Sequence, residues 1–388
     1  MNALKNITVG IAAGATVPSG SDGASAVVEG AGVYNEVHNT TNAFIEGNGS
    51  DDKVEITTVD GGSVDVIAQD VAIAENSIYE QALDRLADGK EEIAKRMGSD
   101  FDITGSKEIA GSESENIKGI DMSDAANQLG ENESININKD SGSSIITVAG
   151  GLAATTGKGA GGAAVAITDI ENNYTANVEY ADITAEKLNA EAGSDSNIVT
   201  VSGGIAAASK GSGVGSITWN DVENTAKANI KDSVVNAQAA SANASNTAQI
   251  ISVAGQISGA GKAGVGATLS YIGLDNSTEA NITNTRFDKR DQEETEGITV
   301  TADTENRSDS YNIAAGVSAA GTAAVSGNVA VTQTHGTSGA VIDGAIINNA
   351  KAVSAHALDD TDILSSWMIF NNSMDNVHGI ILPFIVYY

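Results

Sequence analysis

The sequence predicts an all-β protein, a repetitive parallel β-solenoid with one helical excursion. Three observations predict this fold. The composition combines 43 Gly and 41% apolar residues with only 4% aromatic residues, which is typical of many strands and tight turns. A motif recurs along the chain at a nearly constant spacing. Within each copy, apolar residues occur at every second position, as in a strand with one face toward a core. Right-handed winding is expected because parallel crossovers are almost always right-handed.

The charge of the chain excludes several classes of partner. Asp and Glu total 51 against 20 Lys and Arg, for a formal net charge of −31. Such a chain has no basic face with which to displace counterions from nucleic acid, and anionic lipid would repel it. Without Cys it has neither a disulfide framework nor thiolate ligands for a metal. We therefore expect no nucleic-acid partner, and the lack of Cys fits an exported bacterial protein.

The repeat consists of two sequence blocks. The first block occupies Ile146–Leu152, Val199–Ile205, Ile251–Ile257 and, more loosely, Tyr311–Val317, and the second occupies Ile170–Val178, Val222–Ile230 and Leu274–Ile282. A related copy opens the chain around Tyr34–Ala43. We therefore expect a first solenoid repeat over residues 1–45 and an array of about four repeats over residues 141–358.

The spacing of the second block locates an insertion. The steps from Ala176 to Ala228 and from Ala228 to Ala280 are 52 residues each, whereas the step from Ala280 to Ala340 is 60. We expect the eight extra residues in the acidic stretch 287–297, as a solvated loop. A period of 52 residues is long for one turn of a solenoid, so the expectation is two coils of about 20–30 residues per repeat.

Aligned copies give columns of equivalent residues that predict the cross-section of a coil. One apolar column is expected to face inward, and a second lies two residues further along and should face the same way. A third column holds Asn and one Gly, the residues that best tolerate positive φ, so we expect it at a left-handed corner. In order, the columns are Val165, Ile217, Leu269 and Val329; Ile167, Trp219, Tyr271 and Val331; and Asn39, Asn172, Asn224, Asn276 and Gly336.

Residues 46–140 interrupt the array and contain the one predicted helix, Ser77–Met97. Ser77 and Glu80 form a capping box, apolar residues follow at helical spacing, and Gly98 can form the C-cap. Two roles for this insertion stay open. It can pack its apolar stripe on the solenoid, or it can hold a ligand-binding subdomain.

The two ends of the chain differ from each other. Residues 1–20 lack the pattern of a secretory signal and already match the repeat, so we expect the chain to begin inside an array, as a fragment would. Residues 359–388 form an atypical tail, because five of the fifteen aromatic residues lie between Ile363 and Tyr388. We interpret this tail as the product of a frameshift or a truncated end that is foreign to the array.

The repeats resemble those of very large bacterial surface adhesins. A glycine-rich strand followed by the Asn-containing block is similar to the filamentous-haemagglutinin-like and leukotoxin-like autotransporter passengers of anaerobic Gram-negative bacteria. The residues that carry the resemblance are Gly150–Val178, Gly203–Ile230, Gly255–Ile282 and Gly316–Ile342. The resemblance implies an extracellular or surface-anchored solenoid. We expect contact with an outer membrane only through a translocator, which is absent from this chain.

The sequence motifs indicate no catalytic, cofactor-binding or metal site. There is no His pair at zinc-binding spacing, no Gly-x-Ser-x-Gly motif and no P-loop. The densest carboxylate clusters, Asp51–Asp52 and Asp359–Asp362, lack the spacing of an EF-hand. A calcium-ordered solenoid stays open as one alternative. Another is a carbohydrate lyase built on a β-helix, with its active residues in the insertion 46–140.

The sequence therefore predicts a non-catalytic, structural and adhesive segment of a secreted or cell-surface bacterial adhesin. The expected partners are components of a host cell, a neighbouring cell or the matrix. A repeated face would bind each of them weakly at one copy and more strongly through several copies together.

Overall fold

The computed structural model describes residues 4–16, 26–59, 61–70, 143–155, 157–289 and 297–373. Within these ranges the chain consists of strands that form three parallel sheets, so the predicted parallel β-solenoid is confirmed. The predicted helix Ser77–Met97 lies outside the described residues. Among those described, no helix is long and apolar enough to cross a membrane.

The chain visits three sheets in turn, and equivalent strands stack on one another. Sheet 1 contains β1 (Leu4–Thr16), β4 (Ser63–Gln69), β5 (Ser143–Thr155), β8 (Lys187–Ala208), β11 (Ala239–Ala260), β14 (Ile298–Ala320) and β17 (Ala350–Ser373). Sheet 2 contains β2 (Ala26–Glu46), β6 (Gly159–Glu179), β9 (Gly211–Lys231), β12 (Ala263–Thr283) and β15 (Ala323–Asp343). Sheet 3 contains the short strands β3 (Val54–Thr57), β7 (Ala181–Thr184), β10 (Val234–Asn236), β13 (Arg286–Asp288) and β16 (Ile346–Ile347).

Each repeat forms one coil, so the prediction of two coils per repeat was wrong. Gly211 at the start of β9 pairs with Ala263 at the start of β12, one full repeat later. The coil is long because two of its three strands exceed twenty residues. The eight extra residues lie between β13 and β14, since Arg286 still pairs with Val234 at the shorter spacing and Thr299 pairs with Ala239 at the longer one. This confirms the predicted insertion, although Phe287 itself is buried in β13.

The solenoid extends beyond both boundaries that the sequence predicts. β3 pairs with β7 and β4 pairs with β8, so residues 46–70 belong to the array rather than to an insertion. Gln69 pairs with Gly193 and Ser143 pairs with Ser196 on the same strand, β8. β4 and β5 therefore pair with successive parts of β8, and residues 71–142 between them lie outside the described residues. At the other end, β17 pairs with β14 as far as Ser373, so residues 359–373 continue the array and the predicted start of a foreign tail was wrong.

The interior of each coil has an apolar part and a polar part. The apolar part lies around sheet 3, where Ala, Val and Ile side chains from all three sheets pack with the fully buried Tyr174 and Phe287. The polar part lies between sheets 1 and 2, where hydroxyl groups meet directly beside a smaller apolar cluster that includes Ile170, Ile198 and Val222. Ser202 Oγ lies 2.6 Å from Ser216 Oγ. The sheets approach closely here, because a Cβ added at Gly204 would lie 2.9 Å from the carbonyl oxygen of Gly215.

A ladder of buried amide groups runs through sheet 2 in the column where we predicted a left-handed corner. Each Nδ2 donates to the Oδ1 of the next coil at 2.8 or 2.9 Å, from Asn39 through Asn172 and Asn224 to Asn276, and Gly336 holds the equivalent place in β15. None of these five residues has a positive φ. The corner prediction was therefore wrong. Asn suits both a left-handed corner and an amide ladder, and only burial distinguishes the two.

The left-handed corner lies eight residues beyond the ladder, between sheets 2 and 3. Tyr180, Asp232 and Asn284 have φ of 50°, 49° and 49°, and Gly344 has φ of 61°. Backbone pairing between coils continues through this corner, since Tyr180 N donates to Lys231 O at 3.3 Å. The sequence did not predict this corner, because the column contains Tyr180 and Tyr is not a residue that favours positive φ.

Candidate interaction surface

The apolar column predicted to face inward lies on the outer surface, so its predicted direction was wrong. Its members Val165, Ile217, Leu269 and Val329 are in register on neighbouring strands of sheet 2, as expected. However, Ile217 is 37% exposed and Val329 is 52% exposed, whereas Ser216 and Thr218 beside Ile217 are fully buried. Sheets 1 and 2 approach closely beside this column, as at Gly204 and Gly215, and this favours small inward side chains such as Ser216 and Thr218 there.

The second apolar column lies next to the first on the same outer surface. Its members are Tyr34, Ile167, Trp219, Tyr271 and Val331. Tyr34 is 55% exposed, Trp219 is 39% exposed and Val331 is 38% exposed. We call the two columns together the apolar stripe. It runs across every described coil of sheet 2, and contiguous exposed apolar surface of this kind marks interaction sites.

Two aromatic rings stack within the apolar stripe. The ring centroids of Trp219 and Tyr271 are 4.0 Å apart and the rings are inclined by 25°. A glycine makes room for the tyrosine, because a Cβ added at Gly273 would lie 2.8 Å from the Tyr271 hydroxyl and 3.0 Å from Asp221 Oδ1. The stack therefore depends on one glycine in a position where the three preceding coils carry a carboxylate.

Carboxylates line one side of the apolar stripe in two further columns. These residues are Glu36, Asp169 and Asp221 in the nearer column, and Glu171, Glu223 and Asp275 in the next. We call them the carboxylate rows. Neither the rows nor the apolar stripe contains Lys or Arg at any of their positions in β2, β6, β9, β12 and β15. The surface therefore combines an apolar stripe with adjacent rows of negatively charged side chains.

The pKa values of one carboxyl group and one neighbouring hydroxyl group on this surface are raised. Burial, followed by the neighbouring carboxylates of Asp169 and Asp275, raises the pKa of Asp221. Burial and the Asp221 carboxylate raise the pKa of the Tyr271 hydroxyl. Both shifts show that negative charge at this place is disfavoured when no cation is near.

At the first coil a histidine offsets part of this charge. His38 Nε2 lies 2.9 Å from Glu36 Oε1, and its Nδ1 lies 2.9 Å from Glu171 Oε2. Ionised carboxylates only accept hydrogen bonds, so both ring nitrogens donate and the imidazolium form is favoured. The hydrogen bonds to Glu36 and Glu171 accordingly raise the pKa of His38.

The carboxylate clusters that suggested calcium do not converge. β17 is an extended strand, so Asp359 points to one side, toward Asn306, while Asp360 and Asp362 point to the other. Asp52 accepts a hydrogen bond from Asn48 Nδ2 at 2.7 Å in a turn after β2. Among the described residues, no group of three or more His, Asp or Glu side chains is placed to hold a metal ion.

Comparison with known proteins adds no relative. No protein-family model, curated protein or solved structure matches the chain. The resemblance to adhesin repeats therefore stays a prediction from the sequence. The candidate site is the outer surface of sheet 2, which sequence inspection assigned to the core. The signal that could have identified it is the column of small residues between the apolar ones, for example Ser216 and Thr218 around Ile217.

Proposed function

We propose that this chain is a structural and adhesive segment of a bacterial surface solenoid, non-catalytic and extracellular, with the apolar stripe as its binding surface. The observation that carries the proposal is the repetition of exposed apolar side chains at the same outward positions of successive coils. Burial in the core does not account for them, because Tyr34, Ile217, Trp219, Val329 and Val331 are exposed and the other members are half-buried.

A stalk must also keep its shape over many coils, and two features support that role. Every pair of adjacent coils is joined by long parallel strands, with 21 residues in β9 alone. The amide ladder adds a side-chain hydrogen bond to each of three coil interfaces. A stack in which each coil supports its neighbours can project a binding surface away from a cell.

The second candidate function, a carbohydrate lyase, would place its active residues in the predicted insertion. Residues 71–142 of that insertion lie outside the described residues. No observation on the described surface favours this alternative, so we propose adhesion alone.

Adhesion can be tested by removing the apolar stripe one coil at a time from the full chain. Ile217→Ser with Trp219→Ser clears β9, and Leu269→Ser with Tyr271→Ser clears β12. We expect binding to whole cells or matrix to fall with the first pair and to fall more than additively with both, because weak sites act together through avidity.

A matched control replaces exposed apolar residues at the far end of the same sheet. Phe44 is 67% exposed and Val341 is 43% exposed. Phe44→Ser with Val341→Ser should leave binding within about twofold of the original chain. Adhesion that survives loss of the stripe on both strands, or turnover of a glycan by the unmodified chain, would contradict the proposal.

A further inference from the structure

The stacked aromatic pair lies beside a concentration of negative charge. Trp219 and Tyr271 belong to the apolar stripe, and the adjoining carboxylate rows supply six acidic side chains without a Lys or Arg among them. The lysine nearest to them on the same face of β9 is Lys227, which pairs with Glu279 at 3.2 Å. A negative potential therefore extends over the exposed rings.

We propose that the apolar stripe and its carboxylate rows form a docking surface for a basic protein segment, whose Arg side chains pack on the Trp219–Tyr271 pair. This inference deepens the proposed function, because it names the partner class for the same surface. The guanidinium groups would lie against the rings and direct their N–H groups to Asp221 and Asp169.

The aromatic pair is suited to a cation because the Trp219 ring is exposed, the Tyr271 ring is half-buried, and both are held in place. Trp219 is 39% exposed, and stacking on Tyr271 fixes the orientation of both rings before a partner arrives. A fixed ring loses little conformational entropy on binding. Trp and Tyr are also the side chains that attract cations most strongly and that dominate interface energetics.

Gly273 places the tyrosine hydroxyl beside the carboxylates. A Cβ at this position would lie 2.8 Å from that hydroxyl, so another residue would push the Tyr271 ring away from the surface. The glycine has no positive φ that requires it. Its role in this strand is to leave room for the Tyr271 ring and the Asp221 carboxylate next to each other.

The charge of the surface favours Arg over other ligands. Nucleic acid, anionic lipid and sulfated glycans would all be repelled by the carboxylate rows. Arg differs from Lys because its planar group stacks on aromatic rings and bonds carboxylates with two N–H groups together. A cation at this place also offsets the burial and the repulsion from Asp169 and Asp275 that raise the pKa of Asp221.

The size of the surface indicates weak binding at a single location. Four columns over five coils span roughly 20 Å by 19 Å, or about 400 Å², from the usual strand dimensions. A standard interface buries about 800 Å² on each partner. A partner with several Arg residues that contacts several coils would therefore bind better than one with a single Arg.

The test is a binding titration of the full chain with a fluorescein-labelled peptide of five Arg-Gly-Ser repeats. The comparison peptide carries citrulline in place of each Arg, which keeps the shape and removes the charge. We expect the Arg peptide to bind and the citrulline peptide to bind at least about tenfold more weakly. Trp219→Leu and Asp221→Asn should each weaken binding of the Arg peptide by about fivefold, because each removes one of the two attractions.

The control variant is Phe44→Leu, an equivalent loss of an exposed ring at the far end of the sheet, and it should change binding by less than about twofold. The proposal is overturned if Trp219→Leu binds the Arg peptide as tightly as the original chain, or if citrulline does not weaken binding. It is also overturned if the peptide fails to bind while an oligosaccharide binds in a Trp219-dependent manner, since the ligand would then be a glycan. Cell adhesion is measured separately, so failure of adhesion with intact peptide binding contradicts the proposed function alone.

Discussion

Along one part of the sheet-2 strands, at the positions of Ser216 to Trp219 in β9, the inner and outer faces invert the usual distribution of side chains in soluble proteins. In β9, Ser216 and Thr218 are fully buried, whereas the larger Ile217 and Trp219 that alternate with them are 37% and 39% exposed. Large apolar side chains are ordinarily the ones removed from water. Here the inner face is restricted by sheet 1, whose Ser202 hydroxyl reaches within hydrogen-bonding distance of Ser216.

This difference between the two faces distinguishes the side chains that folding requires from those that it does not. Small side chains, paired hydroxyls and the amide ladder hold the two sheets together on the inner face. The outer face could be wholly polar without loss of these contacts, yet it carries the apolar stripe and the carboxylate rows. We therefore attribute the inner face to stability and the outer face to binding.

The largest effect is expected from enlarging an inner side chain. Ser216→Leu would place three carbon atoms where only a hydroxyl group fits and would remove the partner of Ser202. We expect the free energy of unfolding to fall by about 3 kcal/mol, measured by denaturant titration. Ile217→Ser is the neighbouring control and should lower it by only about 1 kcal/mol, because Ile217 is already 37% exposed. Similar losses from both variants would show that the two faces do not differ.

A smaller effect is expected from interrupting the amide ladder. Asn224→Leu leaves the Nδ2 of Asn172 and the Oδ1 of Asn276 without their ladder partner inside the protein. We expect a loss of about 2 kcal/mol. Asn229→Leu, on the outer face of the same strand, should cost less than about 0.5 kcal/mol. Asn224→Gly should also destabilise the protein, whereas a left-handed corner at this residue would make Gly harmless.

The smallest effect concerns the charge of Asp221. Burial, and then the nearby carboxylates of Asp169 and Asp275, raise its pKa in the folded state above the ordinary value of an Asp side chain. The stability that its proton provides is therefore present below about pH 4 and is lost as the pH rises through the raised value. We expect Asp221→Asn to be more stable than the original chain at pH 7, by at most about 0.5 kcal/mol because the group is largely solvated, and equally stable at pH 3. Denaturant titrations at both pH values measure this, and a variant that is less stable at pH 7 would contradict it.

The sequence was sufficient for the stacking of coils and for the columns, because a repeated chain in parallel register places equivalent residues side by side. It did not determine whether the side chains of a given column face the interior or the solvent. A period of two is the same for both faces of a strand, so the inward direction of Val165 and Ile217 came only from their apolar character. The apolar rule failed because the local spacing of sheets 1 and 2 depends on residues of another strand, such as Gly204, which lies on β8. The amide ladder was misassigned for a similar reason, since burial of Asn224 depends on packing between sheets.

Cysteine labelling along β9 tests the inversion of the two faces most directly, because the chain has no Cys of its own. Single cysteines would replace each residue from Ser216 to Glu223 in turn, and the rate of reaction with a maleimide would be measured under native conditions. We expect cysteines at the outward positions of Ile217, Trp219, Asp221 and Glu223 to react rapidly. Those at Ser216, Thr218, Asn220 and Val222 should react at least about a hundredfold more slowly, because they need local opening of the solenoid. Faster reaction at the even-numbered positions, or no alternation at all, would contradict the assignment of the two faces.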